Sequence, residues 1–396
     1  MQNNTMTNLP QGWEVKTLSE IGEIITGSTP SKSNVEFYGK DYPFFKPSDF
    51  EQGYFLENAG DNLSKLGFGK ARQLPPKTIL VVCIGSLGKV ALTRVIGSCN
   101  QQINAIIPHK NIISEYIYYY CISSKFQSIL FSKAPQTTLA IFNKTEFSKL
   151  EIIYPKDIKK QERIVGILDE SFAKIDESIK ILEQDLLNLD ELMQSALQKA
   201  FNPLKDNAKE NYKLPQGWEW KSLEEISENI SAGGDKPKNC TESKTAKNQI
   251  PVYANGVNNN GLVGYTDKAT IIKPSLTISA RGTIGFVCIR KEPYFPIVRL
   301  ISLIPCENIL CLHYLYFCLN FFIAKGEGSS IPQLTIPKFK SLQIPLPPLK
   351  EQEQIAKHLD FVFEKTKALK ELYTKELKDY EELKQSLLNK AFKGEL

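Results

Sequence analysis

The residue types that could do chemistry gather in short polar turns. Gly85-Ser86-Leu87-Gly88-Lys89 sits between two β-branched runs, 78–84 and 90–96, and Arg281-Gly282-Thr283-Ile284-Gly285 sits between the shorter runs 276–279 and 286–289. Each reads as strand, tight turn, strand. The first turn resembles a phosphate loop only superficially. It lacks the Gly-x-x-x-x-Gly-Lys-Ser/Thr spacing, and it runs into a strand, so no helix N-terminus would face a phosphate. Ser86 follows a glycine without completing a Gly-x-Ser-x-Gly elbow, and no histidine is placed to serve it as a triad base. The three histidines, His109, His313 and His358, have no second histidine or cysteine pair within helical reach, so zinc would lack ligands. No Gly-x-Gly-x-x-Gly follows a strand, which leaves no dinucleotide or methyl-donor fold. No catalytic residue and no metal site is assigned; the chemistry on offer is that of a binder.

The elements that must position these turns come twice. Leu9-Pro10-Gln11-Gly12-Trp13-Glu14 returns as Leu214-Pro215-Gln216-Gly217-Trp218-Glu219, and Gln194-Ser195-Ala196-Leu197-Gln198-Lys199-Ala200-Phe201 returns as Gln385-Ser386-Leu387-Leu388-Asn389-Lys390-Ala391-Phe392. A spacing of roughly 190 to 205 residues is far longer than any solenoid period, so whole domain units are repeated. Residues 159–201 hold no proline and one glycine, with apolar residues at Ile164, Leu168, Phe172, Ile175, Ile179, Leu182, Leu186, Leu189 and Met193. Steps of three and four predict a narrow seam facing another helix, on a rod of roughly 60 Å. Residues 351–392 repeat the design through Ile355, Leu359, Phe363, Leu369, Tyr373, Leu377, Tyr380 and Leu387. The economical arrangement packs the two rods on each other, since a bare seam of that length would aggregate. The alternative lays each rod on its own globular part.

Prolines at Tyr154-Pro155 and at Ile344-Pro345-Leu346-Pro347-Pro348-Leu349 fix where each rod begins. Residues 112–133 and 309–325 read as helices. The expected fold class is α+β: two globular domains of mixed, mostly antiparallel sheet plus helices, separated by two long helices that pair as an antiparallel coiled coil. The expected boundaries are 1–155 for the first domain, 156–203 for the first helix, 204–349 for the second domain and 350–396 for the second helix.

Composition supports two packed domains: 396 residues, 42% apolar and 10% aromatic. A net charge of +5, from 49 basic and 44 acidic residues, permits a polyanionic partner without requiring one. Eight cysteines without a Cys-x-x-Cys pair or a secretory leader fit a reduced cytoplasmic setting. No run reaches the ~20 uninterrupted apolar residues of a membrane helix.

The repeated Leu-Pro-x-Gly-Trp-Glu openings, the Gly-containing turn in each globular part, the segment Pro345-Leu346-Pro347-Pro348-Leu349-Lys350-Glu351-Gln352-Glu353-Gln354-Ile355 and the terminal rod together resemble the specificity subunit of bacterial and archaeal type I restriction-modification systems. The resemblance covers essentially the whole chain. The first half keeps the proline segment only in part, as Tyr154-Pro155-Lys156-Asp157-Ile158-Lys159-Lys160-Gln161-Glu162-Arg163-Ile164. The resemblance implies two target recognition domains, each reading one half of a bipartite, asymmetric double-stranded DNA site. The rods would set the spacer and dock two methyltransferase subunits, and motor-nuclease subunits would join for cleavage. The chain itself would be non-catalytic and bind no cofactor. S-adenosylmethionine, ATP and magnesium would sit on the partner subunits of an adenine-N6 methyltransferase and site-specific deoxyribonuclease complex. The alternative is a coiled-coil assembly scaffold that never touches DNA.

Base edges are read by Arg or Lys at guanine, Asn or Gln at adenine, and Ser or Thr at either. The DNA-binding candidates are therefore Lys46 and Ser48 in Phe44-Phe45-Lys46-Pro47-Ser48-Asp49, Ser86 and Lys89 in the first turn, and Gln136, Thr137 and Thr138 after the helix. In the second domain they are Arg281 and Thr283 in the turn, with Ser330 and Gln333 later. The Asn255 and Asn258–260 cluster could read adenine, but such clusters more often simply turn the chain. Trp13 and Trp218, matched at the domain starts, suit core packing better than base stacking. The expected coiled-coil interface is Ile175, Ile179, Leu182, Leu186 and Leu189 against Leu369, Tyr373, Leu377, Tyr380 and Leu387.

Overall fold

The computed structural model describes residues 9–133, 141–201, 214–323, 326–327 and 334–396. Two long helices, Ile158–Phe201 and Leu349–Lys393, are present. The first is capped by Asp157, whose Oδ1 accepts from Lys159 N at 3.0 Å. The second starts from Pro347-Pro348 and ends at Gly394, whose φ of +77° only glycine adopts without strain. The chain forms two compact units that do not follow its order: residues 1–182 with 375–396, and residues 183–374. Each unit thus joins one globular part to the start of one long helix and the end of the other.

In the first unit a five-stranded sheet runs in the order Gly22–Thr26, Ile103–Pro108, Ile79–Val82, Val90–Thr93, Phe55–Leu56. Its first three pairings are antiparallel and its last is parallel. A three-stranded sheet places Tyr38–Phe45 between Asp61–Leu63 and, in parallel, Ser98–Cys99. A two-stranded ribbon pairs Trp13–Thr17 with Glu151–Pro155. The second unit repeats the plan. Ser227–Ala232, Ile301–Pro305, Ser275–Ile278 and Val287–Arg290 form one sheet. Ile250–Tyr253 lies between Leu262–Thr266 and, in parallel, Phe295–Pro296, and the ribbon pairs Glu219–Ser222 with Gln343–Leu346. The sequence signals predict the two hairpin strands in each unit but not the parallel pairs, whose partners are two residues long.

The expected helix over 112–133 is two helices, Ser114–Ile122 and Ser124–Lys133. The break is chemical. Ser123 takes an extended conformation, its Oγ donates to Tyr120 O at 2.6 Å and accepts from Phe126 N at 3.4 Å, so its side chain competes with the helical ladder and caps the next segment. In the second unit Leu312–Phe322 forms one helix.

The motif repeated at the domain starts is a turn: Gly12 and Gly217 have φ of +83° and +85°, and Trp13 N and Trp218 N each donate to the proline carbonyl three residues back at 3.1 Å. Both tryptophans are buried. Trp218 Nε1 donates to Glu351 Oε1 at 3.1 Å, so the turn lays the ring on the start of the long helix. The Glu-Gln of the proline segment has an equally local reason. Gln352 is fully buried; its Oε1 accepts from Cys311 N at 2.9 Å and its Nε2 donates to Ile309 O and Pro347 O at 2.9 and 2.8 Å. Gln161 repeats this with Ile113 N, Asn111 O and Pro155 O. One amide side chain thereby ties a strand end, a loop and a helix start. Gln352→Leu strands one buried donor and two acceptors, and is expected to destabilise the second unit by about 3 kcal/mol in denaturant unfolding. Gln352→Glu keeps the acceptor but turns a carboxylate oxygen toward the Ile309 and Pro347 carbonyls, and is expected to cost at least as much.

The first long helix buries the seam that its spacing predicts: Ile164, Leu168, Ile175 and Leu182 are buried, and Phe172, Ile179, Leu186, Leu189 and Met193 are half-buried. On the second, Tyr373, Leu377, Tyr380 and Leu387 are half-buried, but Leu369 is 38% exposed. From Phe363 the seam steps three to Thr366, which is buried, and four to Lys370, which pairs with Asp190 within the second unit. Leu369 lies one residue, about 100°, off that line. Within the first unit Lys384 closes the same kind of contact, 2.6 Å from Asp176 and over the Phe172 ring.

Candidate functional site

In each unit four loops meet at one end of the sheets, and backbone hydrogen bonds lock them together. In the first unit Gly27 N donates to Ile103 O and Ser28 N to Cys99 O, both at 2.9 Å, Asn100 N donates to Phe45 O at 3.1 Å, and Cys83 N donates to Gln102 O at 2.7 Å. Residues 27–29, 46–48, 83–89 and 100–102 are thereby neighbours. The second unit makes the matching set: Gly233 N to Leu300 O at 2.9 Å, Val298 N to Gly234 O at 2.8 Å and Ile297 N to Tyr253 O at 2.8 Å. Asn255 completes it, its Nδ2 donating to Val298 O at 2.6 Å and its Oδ1 accepting from Ala280 N at 2.9 Å. The approach is close enough to demand glycine. A Cβ on Gly27 would stand 2.1 Å from Asn100 O, and one on Gly233 2.6 Å from Ile297 N.

The two turns have one geometry. Gly85 and Gly88 have φ of +80° and +89°, Gly282 and Gly285 of +75° and +81°, and the last glycine of each donates to a carbonyl six residues back, Val82 or Ser279, at 2.9 and 3.0 Å. Ser86, after the first glycine of one turn, and Arg281, before the first glycine of the other, are exposed. Lys89 pairs with Glu51, and Lys46 pairs with Asp61, so neither ammonium is free of a carboxylate. Lys46 N also donates to Asp49 Oδ2 at 2.7 Å, which starts the short 3-10 turn that carries the exposed Ser48. Thr283 is half-buried, and its Oγ1 is buried without a hydrogen-bond partner. Gln136, Thr137, Thr138, Ser330 and Gln333 lie outside the described residues. Lys46, Ser48, Ser86 and Lys89 fall in the first loop cluster, and Arg281 and Thr283 in the second.

Composition and spacing did not single out the remaining members. Gln101 and Gln102 in the first unit stand where Val298 and Arg299 stand in the second. Val298 and Arg299 both have left-handed backbones, φ +53° and +59°, and both are exposed. Two consecutive non-glycine residues in that region are strained, and strain of this kind concentrates where a protein binds or reacts. The signal that could have found them is the alignment of the two halves, which puts Asn100-Gln101-Gln102 before Ile103–Pro108 where Ile297-Val298-Arg299 stands before Leu300 and Ile301–Pro305. Asn255 is spent on bracing the loops. Its amide nitrogen and oxygen are each already held by loop backbone.

Among the described residues no activated thiol borders the clusters. Cys83 and Cys99 border the first one, but burial pushes both thiols up to about 12, leaving no thiolate near neutrality. All eight cysteines are free. Among the described residues no three or more His, Cys, Asp or Glu side chains gather to hold a metal ion, and no helix is long and apolar enough to cross a membrane. What the clusters offer are amides, hydroxyls and guanidinium groups on a rigid support, which suits hydrogen-bonded recognition.

Comparison with known proteins gives a consistent result. The family profile described as the type I restriction modification DNA specificity domain matches residues 10–186 and again 215–379. The chain is similar to the HindI specificity subunit of Haemophilus influenzae, 39% identical over 186 residues, which is 45% of this chain and 40% of that relative's length. It is 24% identical to the MjaIX specificity subunit of Methanocaldococcus jannaschii over 86% of this chain and 84% of that protein. A solved chain from a study of complex assembly and conformational transition of the type I R-M system shares the fold with a TM-score of 0.81 at 19% identity, covering 98% of this chain and 99% of that one. The HsdS subunit from Thermoanaerobacter tengcongensis shares it with a TM-score of 0.60 at 20% identity, over 99% of both chains.

Proposed function

Since the chain belongs to the type I restriction modification DNA specificity family, we propose that it is the subunit that reads DNA for such a complex, each unit addressing one half of a bipartite, asymmetric site. The observation that carries this reading is the repeat of one loop cluster on one topology with different side chains. A shared frame matches the two-fold symmetry of a DNA backbone, while Gln101 and Gln102 against Val298 and Arg299, or Ser86 against Arg281, present different edges to the two half-sites.

In this reading the chain catalyses nothing by itself. The paired long helices set the spacer between half-sites and dock two methyltransferase subunits; motor-nuclease subunits join for cleavage. S-adenosylmethionine, ATP and magnesium belong to those partners. Adenine methylation requires the base to leave the stack, so the enzyme benefits from a scaffold that holds distorted DNA on both sides of it. A coiled-coil scaffold that never touches DNA has less support, because it leaves two braced loop clusters, the second of them strained at Val298 and Arg299, without a use.

The test is a map of methylated adenines in cells with and without this chain. The expected outcome is one bipartite motif, present with the chain and lost without it. An unchanged methylation pattern in cells that hold the methyltransferase partner would refute the reading.

A further inference from the structure

Arg290, at the end of Val287–Arg290, is only 8% exposed. Its Nε donates to Thr277 Oγ1 at 3.0 Å and its Nη2 to Asn260 O at 2.6 Å, while the guanidinium lies 3.6 Å from the Tyr253 ring centroid. Nη1 has no protein acceptor among the described residues. The second unit's carboxylates that form ion pairs have other partners: Glu219 with Lys221, Glu224 with Lys340, Glu228 with Lys273, Asp267 with Lys247, Asp360 with His313 and Asp190 with Lys370. None lies within ion-pair distance of Arg290 among the described residues. A guanidinium taken this far out of water without a counter-charge is costly, and a protein that keeps one has a use for the charge.

The same side chain holds a turn. Asn260 O, which Arg290 binds, belongs to Asn258–Gly261, where Asn259 and Asn260 take left-handed backbones with φ of +48° and +51° and stay exposed. Beside the turn runs an open groove of about 770 Å³, lined by Asn259, Leu262, Tyr265, Glu242, Ser243 and Lys244 among others. Asparagine is the residue type that pairs bidentately with adenine. In the first unit the strand Val90–Thr93 ends instead in Thr93, a buried hydroxyl that donates to Pro75 O at 3.2 Å. The device therefore belongs to the second unit.

We infer that Arg290 is a phosphate-binding residue: its missing counter-charge is a backbone phosphate of the DNA read by the second unit, and in binding it the same guanidinium fixes the turn that offers Asn259 to a base edge. This rests on the DNA-reading function proposed above. Phosphate contacts position a protein and base contacts specify the sequence; here one side chain couples the two.

The experiment uses the full chain assembled with its methyltransferase partners, titrated with duplex DNA carrying the methylated motif over a range of salt. Arg290→Gln is expected to lower the slope of log affinity against log salt by about one. A scan with single neutral methylphosphonates should find one position in the second half-site that weakens the unaltered complex about tenfold and adds nothing to Arg290→Gln. An unchanged slope, or a methylphosphonate penalty equal in both proteins, would overturn the inference and leave Arg290 a structural brace. Should Arg290→Gln not fold, Arg290→Lys decides: the slope should stay and discrimination should relax in the second half-site only, whereas unaltered discrimination overturns it. If the unaltered complex shows no salt-dependent affinity for any duplex, the DNA-reading function itself fails, and this inference with it.

Discussion

Deleting residues 386–396 is expected to unfold the N-terminal globular part, although the deletion lies at the opposite end of the chain. Leu388 and Ala391 are fully buried and Phe392 is 7% exposed, all in the cluster that contains Tyr116, Tyr120, Ile152 and Ile164. The Phe392 ring meets Tyr116 edge-on at 5.4 Å and Tyr120 at 5.0 Å. Removing one such aromatic leaves a cavity worth about 3–5 kcal/mol, and a buried leucine contributes about 2–5 more. Against a total domain stability of about 5–15 kcal/mol, the combined loss of about 5–10 kcal/mol is of the same size as the whole. Hydrogen exchange read by mass spectrometry should lose protection over 79–82, 103–108 and 114–122, while 275–278 and 301–305 stay protected. Phe392→Ala should give the milder form of the same result. The second unit has its own counterpart in Phe201, fully buried and 5.5 Å from the Tyr314 ring. A deletion that left the first unit's exchange unchanged would mean that the helix end merely rests on a self-sufficient domain.

This arrangement also explains what could and could not be seen in the sequence. Gln194–Phe201 and Gln385–Phe392 are visible as a repeat, and their apolar spacing predicts a rod. That the rod ends complete the core of the other half was not visible, because a helix face that packs on a domain and one that packs on a helix show the same apolar spacing until a partner is known. The seam of the second rod misled for a related reason. Thr366 and Lys370 occupy seam positions as a buried hydroxyl, donating to Val362 O at 2.7 Å, and as an ion-paired ammonium. A search for apolar residues passes over both and settles on Leu369.

The candidate site divides in the same way. Turns built on glycines with positive φ were legible, since only glycine accepts that backbone cheaply. The neighbours they meet, residues 27–29, 100–102, 233–234 and 297–300, arrive through hydrogen bonds across long stretches of chain, which leave no local signature. Arg290 was silent for another reason. Within Phe286–Arg290 it reads as one basic residue ending a strand, and only burial without a carboxylate makes it unusual.

Exchanging residues 1–154 for the corresponding segment of a relative with a different DNA site is expected to replace one half of the methylated motif completely and leave the other half unchanged. The second loop cluster is assembled from 233–235, 254–260, 279–285 and 297–300, all within 183–374, so nothing the exchange removes belongs to it. The structure adds a condition to this modular outcome. The imported segment must supply an aromatic pair in place of Tyr116 and Tyr120 to receive Phe392, and an N–H and a carbonyl in place of Ile113 and Asn111 to receive Gln161. A segment that meets the condition should yield a folded chain whose new half-site matches the donor's. One that fails it should behave like the 386–396 deletion, with the first unit unprotected and no motif methylated. The two outcomes separate recognition from folding in a single series of exchanges, read by methylation mapping and hydrogen exchange on the same proteins. A folded exchange that altered both halves of the motif would show that the units do not read independently, and the division of labour proposed for them would fall.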